Sequence, residues 1–245
     1  MTKANFIFFD IDGVLLIDGR PSNLYVALRH HVQTGLIDRS SVGVATARPY
    51  KSAEAIIADI DLRGPMVFEN GALYSTSYPG VTKAIDTQLA QRTKDFRNRV
   101  QYLAQRARIK YLSYNGTDKI EDTLKLHNTE TIIMNANRQF STTLYSVNTD
   151  LLERVIEQSH PEKNGFVAER VDDKILVFDP QITKFHGINR ASKGHHSLLV
   201  TDYEREFLSG YNINVIEYVA ASEISQTEAA SENFIRKIFT TQRGK

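Results

Sequence analysis

Residues 4–17 read Ala4-Asn5-Phe6-Ile7-Phe8-Phe9-Asp10-Ile11-Asp12-Gly13-Val14-Leu15-Leu16-Ile17. Phe6 to Phe9 form an unbroken apolar run, as in a strand buried on both faces of a parallel sheet. Asp10 and Asp12 interrupt the apolar character, and neither flanking run is long enough to span a bilayer, so no membrane segment or targeting segment is expected here. Two carboxylates at i and i+2 point to the same side while the chain stays extended. They sit where a parallel strand ends, the edge at which open α/β sheets bind ligands. Gly13 then permits a sharp change of direction. Two close like charges are costly unless a cation or a proton offsets them. Mg²⁺, a hard ion that prefers oxygen ligands, is the natural partner, and solvated loop acids are the alternative. An EF-hand loop does not fit, because later ligand positions fall on Val14 and Ile17.

Outward from this point the chain alternates. Residues 22–32 read as a helix with Ser22 or Asn23 as its cap, 42–45 as a strand, 51–60 as a helix and 66–69 as a strand. That βαβαβ order implies parallel pairing with right-handed crossovers. The middle of the chain differs. Residues 85–107 form one long amphipathic helix, with Ile85, Leu89, Phe96, Val100, Leu103 and Ala107 at helical spacing. Strands are predicted at 109–114, 131–134 and 142–147, a helix at 151–158, and a closing strand pair at 165–169 and 174–178, together an antiparallel α+β module. After Pro180 the first pattern returns, with helix 184–192, strands 197–201 and 214–219, and helix 227–239. The expected architecture is a doubly wound α/β domain with a parallel sheet, built from residues 1–77 and 180–245. A second, α+β domain is inserted at 78–179.

Composition narrows the chemistry. The chain has 245 residues, 30 Lys+Arg against 29 Asp+Glu and no cysteine. So balanced a charge gives no global pull toward nucleic acid or membrane, and any anion site must be local. Without cysteine there is no disulfide, thiolate nucleophile or Cys-ligated metal, which suits a cytoplasmic protein. Seven basic residues lie between Arg92 and Lys110 (Arg92, Lys94, Arg97, Arg99, Arg106, Arg108 and Lys110) with one acid, Asp95. No nucleic-acid motif accompanies them, so they read as a solvated helix face rather than an RNA or DNA surface. His30-His31 and His195-His196 read as surface residues, since adjacent histidines diverge and no ligand spacing links the pairs. His186 lies two residues past Lys184 with no role assigned. Asp18-Gly19 marks a turn, expected to close a small hairpin beside Asp10.

Asp10-Ile11-Asp12-Gly13-Val14 resembles motif I of the haloacid dehalogenase-like (HAD) hydrolases. Val44-Ala45-Thr46-Ala47-Arg48-Pro49 resembles motif II. Glu69-Asn70-Gly71-Ala72 is similar to the Asn-Gly-Ala element of subfamily IIB, the Cof-type members. Ile182-Thr183-Lys184 resembles motif III, with Phe185 where the family has Gly. Val200-Thr201-Asp202-Tyr203-Glu204-Arg205-Glu206 resembles motif IV, with Thr201 for its Gly and Glu206 for its second Asp. The resemblance implies a Rossmann-like HAD core with a C2B-type cap formed by the insert, which would exclude water and select substrate. It makes Asp10 the nucleophile and Asp12 the general acid/base. Thr46, Arg48, Asn70 and Lys184 would bind or shape the phosphate site, Lys184 offsetting charge on Asp10. Mg²⁺ would be held by Asp10, Asp202, Glu206 and the backbone carbonyl of Asp12. The implied activity is a Mg²⁺-dependent phosphatase acting on a small phosphorylated metabolite, such as a sugar phosphate or phosphoglycolate, through an aspartyl-phosphate. A phosphomutase, or a catalytically weak relative that binds a phosphorylated ligand or a partner, uses the same residues.

Overall fold

A computed structural model describes residues 4–116, 120–171, 173–202, 216–221, 224 and 227–243. The chain divides into two compact units, 1–85 with 183–245, and 86–182. Among the described residues no helix is long and apolar enough to cross a membrane.

The first unit opens with β1 (Phe6–Phe9), whose Ile7, Phe8 and Phe9 are buried on both faces, as the apolar run predicts. A short hairpin follows, β2 (Leu16–Ile17) paired antiparallel with β3 (Arg20–Pro21) around Asp18-Gly19, both at positive φ. Ser22 caps α1 (Asn23–Gln33), its Oγ accepting from the Tyr25 amide at 3.1 Å. Next come β4 (Val42–Ala45), α2 (Tyr50–Ile60) and β5 (Met66–Phe68), in the expected βαβαβ order. The chain then stays with the sheet. β6 (Leu73–Ser75) and β7 (Lys83–Ala84) add two antiparallel strands too short to show any period in the sequence. They keep residues up to Ile85 in the first unit.

The second unit begins with α3 (Leu89–Arg106). The helix starts at Leu89 rather than at 85, because the Ile85 amide bonds the Ala72 carbonyl at 2.9 Å and Asp86 Oδ1 accepts from the Gln88 amide at 2.8 Å. After it come β8 (Lys110–Tyr114), α4 (Ile120–Leu124), β9 (Thr131–Asn135), β10 (Thr142–Tyr145), α5 (Thr149–Ser159), β11 (Val167–Val171) and β12 (Lys174–Phe178). The five strands run in the order β11-β12-β10-β9-β8. All pairs are antiparallel except β8 with β9, which is parallel, so the uniform antiparallel module is corrected. A parallel pair needs a crossover, and the segment containing α4 supplies it. Ile120 and Leu124 of α4 pack on Ile133 and Tyr145.

The basic residues of α3 also differ from a uniformly solvated face. Arg92 bonds Asp86 at 3.0 Å, Asp179 at 2.8 Å and the Asn164 carbonyl at 3.0 Å. Arg97 donates to Thr142 Oγ1 at 3.0 Å and to the carbonyls of Arg138 and Ser141 at 2.8 and 2.6 Å. Both arginines therefore pin loops of the second unit.

The chain returns to the first unit with α6 (Lys184–Ala191), β13 (Ser197–Thr201), β14 (Ile216–Ala220) and α7 (Glu228–Arg243). Its seven strands run β14-β13-β1-β4-β5-β6-β7, the first five mutually parallel. From β1 the chain winds out through β4 and β5, then resumes on the other side of β1 with β13 and β14. That is the doubly wound arrangement, with its switch point between β1 and β13. Ile188 and Ala191 of α6 pack on Phe8, Ala45, Val67 and Leu199. α1 packs against α2 and α7. This contact corrects the surface reading of His31, which is buried with Nε2 2.7 Å from Glu232 of α7.

Candidate active site

Neighbouring parallel strands end side by side, so the residues after them emerge along one edge. Here β13, β1, β4 and β5 are such neighbours. Asp202 follows β13, Asp10 follows β1, Thr46 follows β4, and Glu69-Asn70 follows β5.

Asp10 is 3% exposed. Its amide donates to the Val200 carbonyl at 2.9 Å, and its Oδ1 accepts from the Ile11 amide at 2.8 Å. Its Oδ2 is paired with Nζ of Lys184, itself buried. Burial pushes the Asp10 carboxyl above the usual carboxylate range. The Lys184 ammonium opposes that rise, and the negative charge of Asp202 adds to it. A Cβ at Gly13, where φ is +73°, would run into the Asp202 carboxylate. The loop after Asp10 thus passes directly against Asp202, and only glycine fits both the space and the dihedral.

Lys184 stands 174 positions from Asp10 and is carried there by the first turn of α6. Thr183 is the N-cap. His186 closes a capping box, its Nδ1 accepting from the Thr183 amide at 3.3 Å and lying 3.0 Å from Thr183 Oγ1. Two glycines let the helix come close: a Cβ on Gly71 would meet the Thr183 carbonyl, and one on Gly187 would meet Val67 and the Gly71 Cα. Sequence reasoning noted His186 without giving it a role, and missed Gly187. Gly187 had a signal, since glycine inside a helix costs about 1 kcal/mol against alanine and marks close packing where it persists.

Asp12 is exposed, and Arg48 grips it with both arms, Nε to Oδ2 at 2.9 Å and Nη2 to Oδ1 at 2.6 Å. The pairing holds the Arg48 guanidinium still more firmly protonated. Thr46 is buried, its Oγ1 accepting from the Arg48 amide at 3.1 Å. Its carbonyl accepts from the Asn70 amide at 3.1 Å, and the Arg48 carbonyl accepts from the Glu69 amide at 3.0 Å. Glu69 and Asn70 are both left-handed, at φ +49° and +58°. Such a conformation costs about 1 kcal/mol per residue, and the ties to Thr46 and Arg48 help hold it. Asn70 therefore helps set the shape of this loop.

The donors suit a hard cation. Asp10 and Asp202 offer carboxylate oxygens, and the repulsion that raises Asp10 is what a bound cation would relieve. Asp12 has its carboxylate on Arg48, and the family resemblance implies its backbone carbonyl, not its carboxylate, as a donor. Glu206, the remaining expected ligand, lies outside the described residues. Among the described residues no group of three or more His, Asp or Glu side chains forms a metal cluster.

Known proteins agree with this picture at the level of family and fold. The sequence profile of the haloacid dehalogenase-like hydrolases matches residues 7–196, most of the chain. No curated protein matches. Among solved structures, a haloacid dehalogenase-like hydrolase from Bacteroides thetaiotaomicron is similar at a TM-score of 0.60 and 12% identity, over 95% of this chain and 100% of that one. A HAD/COF-like hydrolase from Plasmodium vivax gives 0.57 and 17%, over 98% and 96%. A trehalose-6-phosphate phosphatase from Aspergillus fumigatus gives 0.52 and 12%, over 97% and 93%. Identities this low speak for the fold alone, and the profile match speaks for the family. The chain belongs to the haloacid dehalogenase-like hydrolases.

Proposed function

We propose that this protein is a Mg²⁺-dependent phosphatase that hydrolyses a small phosphorylated metabolite through an aspartyl-phosphate on Asp10. The observation that carries the reading is the buried Asp10–Lys184 pair, with the charge of Asp202 beside it and Asp12 two residues on. Membership of a hydrolase family supports it, and the trehalose-6-phosphate phosphatase among the fold neighbours supports phosphate esters as the substrate class.

In the first step an Asp10 oxygen bonds to phosphorus, the ester P–O bond breaks, and Asp12 gives its proton to the leaving oxygen. In the second, Asp12 takes a proton from water as that water attacks phosphorus, and phosphate leaves with Asp10 restored. Lys184 offsets negative charge on Asp10 and on the phosphoryl oxygens, while Thr46 hydrogen-bonds the phosphoryl group. Asp10, Asp202, Glu206 and the Asp12 carbonyl would hold Mg²⁺, which when bound neutralises charge on the phosphoryl oxygens. Substrate choice is assigned to the inserted unit.

The test is release of inorganic phosphate from an aryl phosphate and from a panel of phosphorylated metabolites, with and without Mg²⁺. Turnover that needs Mg²⁺ and disappears in Asp10→Asn is expected. Activity that survives Asp10→Asn would remove Asp10 as nucleophile. Silence across the whole panel would favour a phospho-ligand-binding protein, and transfer to a sugar hydroxyl in place of water would favour a mutase.

A further inference from the structure

The basic run 92–110 does not act as one surface. Arg92 and Arg97 are tied inside the second unit, and the Arg106 guanidinium lies 5.9 Å from the centre of the Tyr102 ring. Arg108 is different. It lines a cleft of about 520 Å³, a volume within the range of small-molecule sites. One wall is a face of α5, where Leu151, Arg154, Val155 and Gln158 recur at helical spacing. The other is the turn 107–109 that leaves α3, with Glu130 at the margin. Ile109 and Val155 are buried and, with Leu151, make an apolar floor. Arg108 and Arg154 are exposed above it.

Two observations single out this pair. Among the described residues neither guanidinium forms an ion pair with a carboxylate, and Arg154 bonds only the Asp150 carbonyl of its own helix, at 3.3 Å. Arg108 also occupies a position that suits glycine. Its φ is +57°, its amide bonds the Gln105 carbonyl at 3.1 Å, and the Ile109 amide bonds the Ala104 carbonyl at 2.9 Å. That is the left-handed closure of a helix, where glycine has no Cβ penalty and a side chain does. A side chain there strains the turn, and it sets Arg108 on the wall of the cleft.

The geometry points to a second ligand site in the inserted unit, taking a small organic phosphate or phosphonate. The apolar body of the ligand would lie on Leu151, Val155 and Ile109, and its anionic group would be shared by Arg108 and Arg154. Guanidinium forks match phosphate oxygens in pairs, which suits them to this group. Gln158 and Glu130 would read polar atoms on the remainder of the ligand. This goes beyond the hydrolase reading and does not depend on it, because the site is defined by binding alone.

Phenylphosphonate, which carries an apolar ring and cannot be hydrolysed at a P–O ester, is the probe. Methyl NMR of the full chain follows Ile109, Leu151 and Val155 as it is added. Saturable shifts of all three methyl sets are expected, with none from neutral phenol. Arg108→Gly should bind about tenfold more weakly, the loss of one charged hydrogen-bonding partner. The same variant should unfold at an equal or higher temperature, because glycine suits the dihedral. Arg154→Ala should weaken binding likewise. The inference is overturned if the methyl groups do not shift, if phenol binds as well as phenylphosphonate, or if Arg108→Gly binds like the parent.

Discussion

Arg48 holds Asp12 through both carboxylate oxygens, at 2.9 and 2.6 Å. In the proposed mechanism Asp12 must leave this fork before it can serve the leaving oxygen, so Arg48 would set where Asp12 rests between turnovers. Its own backbone is fixed by Thr46 Oγ1 and the Glu69 amide. Arg48→Lys keeps the charge and loses the fork. Steady-state kinetics should show kcat reduced roughly 10- to 100-fold, the scale of a misplaced catalytic group, with a smaller change in KM. Unchanged kcat would show that the fork has no part in placing Asp12.

Lys184→Met removes the charge that opposes the upward shift of Asp10. The folded-state pKa of Asp10 then rises further above its unfolded value of 3.8. A folded state that binds more protons than the unfolded one loses stability as pH rises. The deficit of the variant against the parent should therefore be small near pH 4 and grow toward pH 7, where breaking a buried pair costs about 3 kcal/mol. Thermal midpoints across that range check the sign. A deficit independent of pH would contradict it.

Gly187→Ala would push a methyl group into Val67 and the Gly71 Cα. The first turn of α6 must shift, and Lys184 with it. Overpacking of this kind costs about 1–3 kcal/mol. Denaturant unfolding should show that loss, accompanied by a fall in kcat, although Gly187 touches no reacting atom.

His186→Ala leaves the Thr183 amide without its side-chain acceptor. A helix cap is worth about 1 kcal/mol, so a loss of that size is expected in urea titrations. His186→Gln, which keeps an acceptor at the third helical position, should restore most of it.

Much of the first unit was legible because its signals are local. The apolar run of β1, the Ser22 cap and the Asp18-Gly19 turn each act within a few residues, and each element forms where the sequence puts it. The predicted strands 6–9, 42–45, 66–69 and 197–201 also stop just before Asp10, Thr46, Asn70 and Asp202, and each residue stands at or just past the end of its strand in the structure. What stayed hidden depends on distant partners. The fork between Asp12 and Arg48 joins two loops, and the close packing of Gly187 on Gly71 joins a helix to a turn far earlier in the chain. The parallel pairing of β8 with β9 is set by how α4 crosses, which no period within either strand records. His31 looked like surface because its cover, α7, comes from the other end of the chain.

The central claim is a covalent phosphoryl group on Asp10. It is tested most directly by acid-quenching the enzyme during turnover of an aryl phosphate with Mg²⁺ and mapping the modified peptide by mass spectrometry. The account predicts one phosphoryl group on the peptide holding Asp10, removed by hydroxylamine and absent in Asp10→Asn. A phosphoryl group on any other residue, or Asp10→Asn turning over at the parent rate, would contradict it.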